Sequence, residues 1–205
     1  MALFSTADRG RIEGVVAEQE RRTSGELVVL VVPSSDSYLD VRMAFAALAG
    51  LAVGEIVHAM APALDAAVVL WAVFLGGVAV FALLGIGAVL GRVLPGARTQ
   101  SAVERRAREE FFARGIFETR DRTGVLLMLS ELERTVALWG DAGVHRVLHD
   151  EGWQRHVGQI VESVRRDQAA DGVVTALEQI GDVLAAHFPP RPDDTNELPD
   201  AVQGV

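Results

Sequence analysis

The chain has no cysteine and no lysine, and only 6% of its 205 residues are aromatic. Without cysteine there can be no disulfide, thiolate metal site or thiol nucleophile. Without lysine there is no Schiff base and no P-loop lysine to grip a phosphate. All 19 basic residues are therefore arginine, a bias that suggests a GC-rich bacterial genome. They are outnumbered by 28 acidic residues, leaving a formal charge of -9. The long-range field repels nucleic acid backbones, so no nucleic acid partner is expected. The patterns DxDxT, GxSxG, HExxH and the P-loop are also missing, and with them the local geometries of the commonest phosphatases, hydrolases and zinc proteases.

Apolar residues are plentiful: 50% of the chain is hydrophobic and the mean hydropathy is +0.25. From Ala66 to Leu90 there is no charge, amide or proline, and as one helix this run spans about 37 Å, enough to cross a bilayer with tilt. The preceding segment opens with MAFAALAGLAVG at Met43 and then meets Glu55, His58 and Pro62. A transmembrane hairpin over 43–92 is expected, with spans at about 43–63 and 66–90. A single span preceded by an interfacial helix would instead put the two flanks on opposite sides of the membrane. Arginine placement favours the hairpin with both ends cytoplasmic, because Arg42 precedes it, Arg92, Arg98, Arg105 and Arg106 follow it, and the connection from Pro62 to Asp65 has none. The N-terminus lacks the apolar h-region of a signal peptide, so neither export nor cleavage is predicted. The expected location is the bacterial inner membrane, multi-pass, with lipid as a partner. Gly76, Gly77, Gly85 and Gly87 permit close helix contact and leave a homo-oligomer open.

Glu55 and His58 lie three apart on one helical face, which makes them a membrane polar pair. They are either a proton or ion relay or, as expected here, groups that snorkel at the far interface.

The flanks carry alternating elements. Residues 5–22 place Ile12, Val15, Val16 and Gln19 on one face, with Ser5 and Asp8 spaced like a capping box. ELVVLVVP after Gly25 is a strand buried on both faces. Val103, Ala107 and Phe111 line a helix closing at Gly115; GVLLMLS and RTVALWG form an antiparallel pair. One helix is expected over Val157–Val164 and another over Val173–Leu184. A strand, a crossover helix and a second strand favour parallel pairing with a right-handed connection. The fold class is thus α/β, a small sheet flanked by helices, with the two-helix hairpin inserted between the first strand and the next helix. Residues 1–40 and 99–188 make one discontinuous domain, and 189–205 a polar, proline-rich tail acting as linker or docking segment.

TSGELVVLVV, RAREEFFARGIFETRDRTGVLLMLSELERTVALWGDAGV, EGWQRHVGQIV and NELPD, in this order and spacing, resemble the TPM domain family, and within it bacterial members with a membrane hairpin. The resemblance implies a compact α/β domain. For some relatives it implies weak acid phosphatase activity and binding of a divalent cation, often calcium. It also makes a LemA-type membrane protein a partner candidate.

The expected topology puts Glu26, Asp121, Arg122 and Asp141 at one sheet edge. Three carboxylates there are candidate oxygen ligands for calcium or magnesium, and Arg122 is a candidate phosphate-binding group. Ordinary turn chemistry is the competing account, with Glu26 pairing to Arg122. Ligands of parallel sheets usually bind beyond the carboxyl strand ends, here near Ser34, Ser35 and Asp36. His145, His149 and His156 are expected at the surface, and Trp139 and Trp153 as packing anchors. Three functions follow: a membrane-anchored, partner-binding envelope factor with little or no catalysis; a weak divalent-cation-dependent phosphatase; or an ion- or proton-conducting hairpin.

Overall fold

The computed structural model describes residues 4–146, 169–191, 198 and 201–204. The helix expected over 157–164, with His149, Trp153 and His156, lies outside them. The chain divides into two compact units, one made of Met1–Ser35 with Thr99–Val205 and the other of Asp36–Arg98.

The first unit is an α/β sandwich. Helix α1 (Thr6–Glu20) opens with the expected capping box, in which the Ser5 hydroxyl accepts from the Asp8 amide and the Asp8 carboxylate accepts from the Ser5 amide. Strand β1 (Leu27–Val32) pairs in parallel with β2 (Val125–Ser130), and β2 pairs antiparallel with β3 (Thr135–Gly140). All six residues of both β1 and β2 are buried, as an uninterrupted β-branched run predicts when both faces are covered. Odd residues of β1 (Leu27, Val29, Val31) face a cluster with Ile12 and Val16 of α1 and with Val173, Leu177, Ile180 and Leu184 of the last helix. Even residues (Val28, Leu30, Val32) face Val103, Ala107 and Phe111, together with Ile116 from a 3-10 turn, Ile116–Glu118. Helices thus cover both faces, which is the only way a strand without polar positions avoids water.

The end of the tail docks on the sheet, the second of its two expected roles. Gln203–Gly204 forms a fourth strand, β4, pairing in parallel with Leu30 and Val31, so the order is β3-β2-β1-β4. Val202 is buried, and its amide donates to Glu13 Oε1 at 3.0 Å.

The second unit is a helical hairpin. Helix α2 runs Leu39–Met60 and α3 runs Ala66–Leu83, both long and apolar enough to cross a membrane. They extend about 33 and 27 Å. Asp65 caps α3 by accepting the Ala67 amide at 2.8 Å. The expected second span reached Leu90, but α3 stops at Leu83 and a short helix α4 (Gly87–Val93) follows after a break. Gly85 and Gly87 lie at the break, and each costs about 1 kcal/mol relative to alanine inside a helix. Of the glycines expected to permit contact between copies, Gly76 and Gly77 pack inside the hairpin, as does Gly50. A Cβ at Gly50 would stand 2.6 Å from the Val73 carbonyl oxygen, and one at Gly76 would stand 3.0 Å from the Val53 side chain. The outward side chains are large and apolar, with Leu48 67%, Leu70 69% and Trp71 63% exposed.

Helix α5 runs Gly96–Ala113. It ends at Gly115, whose φ of 67° suits a residue without Cβ. After β3 come α6 (Ala142–His145) and α7 (Ala169–His187).

Candidate functional site

At the amino end of β1 and β2 the DRTG and GDAG segments form one corner. Asp141 caps α6, its Oδ1 accepting the Ala142 amide at 2.6 Å. The same carboxylate takes both ends of the Arg122 fork, Nε at 2.5 Å and Nη2 at 3.0 Å. The Arg122 side chain is 52% exposed while that of Asp141 is 5% exposed. Hydrogen bonding to Asp141, then its negative charge, holds the Arg122 guanidinium above its ordinary pKa. Gly143 closes the corner by donating to the Arg122 carbonyl at 2.9 Å. A Cβ on Gly143 would stand 2.6 Å from that oxygen and 2.7 Å from the Asp121 carbonyl oxygen, so no larger residue fits without backbone movement.

The predicted edge residues thus share one end of the sheet without converging on one point. Arg122 pairs with Asp141 rather than with Glu26. Asp121 pairs with Arg191, beyond α7. Glu26 is buried and continues the ladder, its carbonyl accepting from the Val125 amide at 2.8 Å. By strand alternation Glu26, Gly124 and Asp141 form one row on the α5 face, with Glu26 and Asp141 about 10 Å apart across two strand spacings. The place between them is taken: a Cβ on Gly124 would lie 2.2 Å from the Ile116 carbonyl oxygen. Among the described residues no group of three or more histidine, aspartate or glutamate side chains is gathered as cation ligands.

The carboxyl end of the parallel pair holds a second polar cluster. Ser35 Oγ donates to Ser130 Oγ at 2.9 Å, and Ser130 Oγ donates to Glu133 Oε2. Glu133 Oε1 accepts the Ser35 amide at 3.0 Å. Ser35 was anticipated from the strand-end rule; Ser130 and Glu133 were not, because nothing local in VLLMLSELE marks them as partners of a residue 95 and 98 positions away. This clasp ties the β2–β3 turn to the exit of β1.

Glu55 and His58 sit on the last turns of α2, both exposed. His145 is exposed on α6. Trp139 is half-buried against the α5 face, with the Arg108 guanidinium 5.1 Å from its ring centroid.

Comparison with known proteins agrees with this architecture. The profile of the TPM domain matches residues 92–183. Among solved structures, the BA42 protein from the psychrophilic bacterium Bizionia argentinensis, determined by NMR, superimposes with a TM-score of 0.62 at 19% identity, over 98% of this chain and 95% of that chain. At that identity the likeness is one of fold. No curated protein matches. The matched stretch contains both halves of the Arg122–Asp141 corner, the β2–β3 hairpin and most of α7, and over it the chain is similar to the TPM domain family.

Proposed function

We propose that the chain is a bacterial inner-membrane protein whose TPM domain is held at the cytoplasmic surface by the α2–α3 hairpin and binds protein partners that maintain the envelope. The observation that carries this reading is the insertion itself: two helices with large apolar side chains turned outward stand between β1 and β2, strands that hydrogen-bond to one another. A ladder can form only within one compartment, so a chain leaving β1 through the bilayer must return before β2. The Arg42 and Arg92 ends favour the cytoplasm. The position of Glu55 and His58 on the last turns of α2 supports snorkelling at the far interface over a relay at mid-depth. A LemA-type membrane protein is the proposed partner. Its co-purification with the full chain from detergent extracts tests the proposal, and repeated failure to recover it with both proteins expressed would contradict it.

The second reading is a weak divalent-cation-dependent phosphatase. Its support is the corner, where Asp141 presents Arg122 in one orientation with half the side chain open to solvent. No cation is placed in this reading, because the three candidate carboxylates are separated. Phosphomonoester turnover by wild type and Arg122→Gln, with and without calcium or magnesium, decides it. Equal rates in the two proteins remove it.

A further inference from the structure

The foot of the hairpin, where α2 begins and α3 ends, holds a cation in a fixed pose. The Arg42 guanidinium lies 4.2 Å from the Phe81 ring centroid, and its Nη2 donates to the Phe81 carbonyl at 3.2 Å. Gly85 makes room for it, since a Cβ there would stand 3.1 Å from Nη2. The Arg42 Nε is buried with no hydrogen-bond partner. The acidic residues of the same segment are engaged elsewhere, Asp40 by Arg98 at 2.8 Å and Asp36 by Arg98 at 3.7 Å. An arginine held by a ring and a carbonyl, with a buried donor left over, lacks an anion.

Directly beside it an apolar groove of about 420 Å³ runs between the two helices, lined by Leu39, Met43, Ala47, Gly50, Phe74 and Phe81 among others. Phe81 belongs to both features: its ring lies under Arg42 and walls the groove. From Leu39 to Gly50 the groove follows α2 for about 16 Å. One positive group at one end and hydrocarbon walls along the rest match an amphiphile with a single anionic end. A second copy of the chain fits less well. A two-fold axis normal to the bilayer would bring two Arg42 guanidiniums to the same depth on facing surfaces, and like charges at low dielectric repel strongly. A partner helix would have to carry a desolvated carboxylate at that depth.

We propose that the groove is a binding site for one anionic phospholipid, its phosphodiester taken by Arg42 and one acyl chain laid against Ala47 and Gly50. The site rests on the placement of the hairpin in a bilayer. Short-chain phosphatidylglycerol, phosphatidylcholine and inorganic phosphate are titrated separately into the detergent-solubilised full chain, and bound species are counted by native mass spectrometry. The expected result is one phosphatidylglycerol bound about tenfold more tightly than phosphatidylcholine, the scale of one charge-assisted contact, and no retained phosphate. Arg42→Gln abolishes the preference, Arg42→Lys keeps it, and Ala47→Phe weakens both lipids by filling the groove. Equal affinity for the two lipids, a preference unchanged in Arg42→Gln, phosphate bound as well as lipid, or an indifferent Ala47→Phe each overturns the site. Cell fractionation separates the two levels: recovery of the wild-type chain without membranes defeats the bilayer placement, whereas membrane recovery without lipid preference defeats this site alone.

Discussion

Several single residues in this chain are fixed by what surrounds them rather than by any chemistry they perform. Gly143 and Gly124 are the clearest cases. At both, an added Cβ meets backbone oxygen, at 2.6 Å for Gly143 and 2.2 Å for Gly124, and backbone cannot step aside as a flexible side chain can. Gly143→Ala and Gly124→Ala are each expected to cost about 1–3 kcal/mol, the usual scale of overpacking, with Gly124→Ala the worse. Chemical denaturation of the solubilised protein measures both. Asp8 offers a pH-dependent test. Its pKa is lowered from the ordinary 3.8, first by the Ser5 hydroxyl, then by the Ser5 amide. A depressed folded-state pKa means the contribution of the capping box is fully present above the unfolded value and is lost as pH falls through the folded one. NMR titration should show the Asp8 carboxyl moving back toward the ordinary value in Ser5→Ala. An unchanged midpoint would separate Asp8 from the cap. The corner itself was only half legible. The order Asp121, Arg122, Asp141 was visible in the sequence, but the preference of Arg122 for Asp141 over Glu26 depends on Ile116 filling the space above Gly124, a contact no local pattern announces.

At the scale of elements, legibility followed periodicity. Helices α1 and α7 and strands β1 and β2 bury the residues their spacing nominates, Val15 of α1 only in part, because a helical stripe or a continuous apolar run has one way to leave water. The pattern was silent where composition stays constant while conformation changes. Apolar residues continue through Leu90, yet α3 ends at Leu83, since hydropathy does not register two glycines and an arginine reaching the Phe81 carbonyl. Strand β4 has two residues and one of them is glycine, too short for any alternation to show. Removing residues 201–205 is expected to take away the buried Val202 side chain and bare the outer edge of β1, costing about 1–2 kcal/mol for the lost burial and promoting edge-to-edge association. Denaturation and light scattering report the two effects separately. In the hairpin, Gly50 and Gly54 form a small-xxx-small pair that lets the helices approach. The obstacle to a Cβ is backbone for Gly50, at 2.6 Å, and the Val73 side chain for Gly54, at 2.4 Å. Gly50→Ala should therefore lower the thermal midpoint in detergent more than Gly54→Ala; the reverse order would mean the helices pack differently.

At the scale of the whole molecule, one connection organises everything: the chain leaves β1, forms an apolar hairpin, and returns to build β2 in register with the strand it left. The sandwich accounts for the flanks, and the hairpin carries the longest apolar runs of an otherwise acidic chain. That order of elements was readable from the sequence because a buried parallel strand needs a neighbour and a charge-free run of this length has the span of a bilayer. The absence of cysteine makes the decisive measurement a clean one. Single cysteines at Glu18 in α1, Leu64 between α2 and α3, and Glu109 in α5, all at exposed positions, are probed with a membrane-impermeant maleimide in intact spheroplasts and after lysis. The account predicts labelling at Leu64 in both conditions and at Glu18 and Glu109 only after lysis. Labelling of Glu18 and Glu109 from opposite sides of the membrane would contradict it.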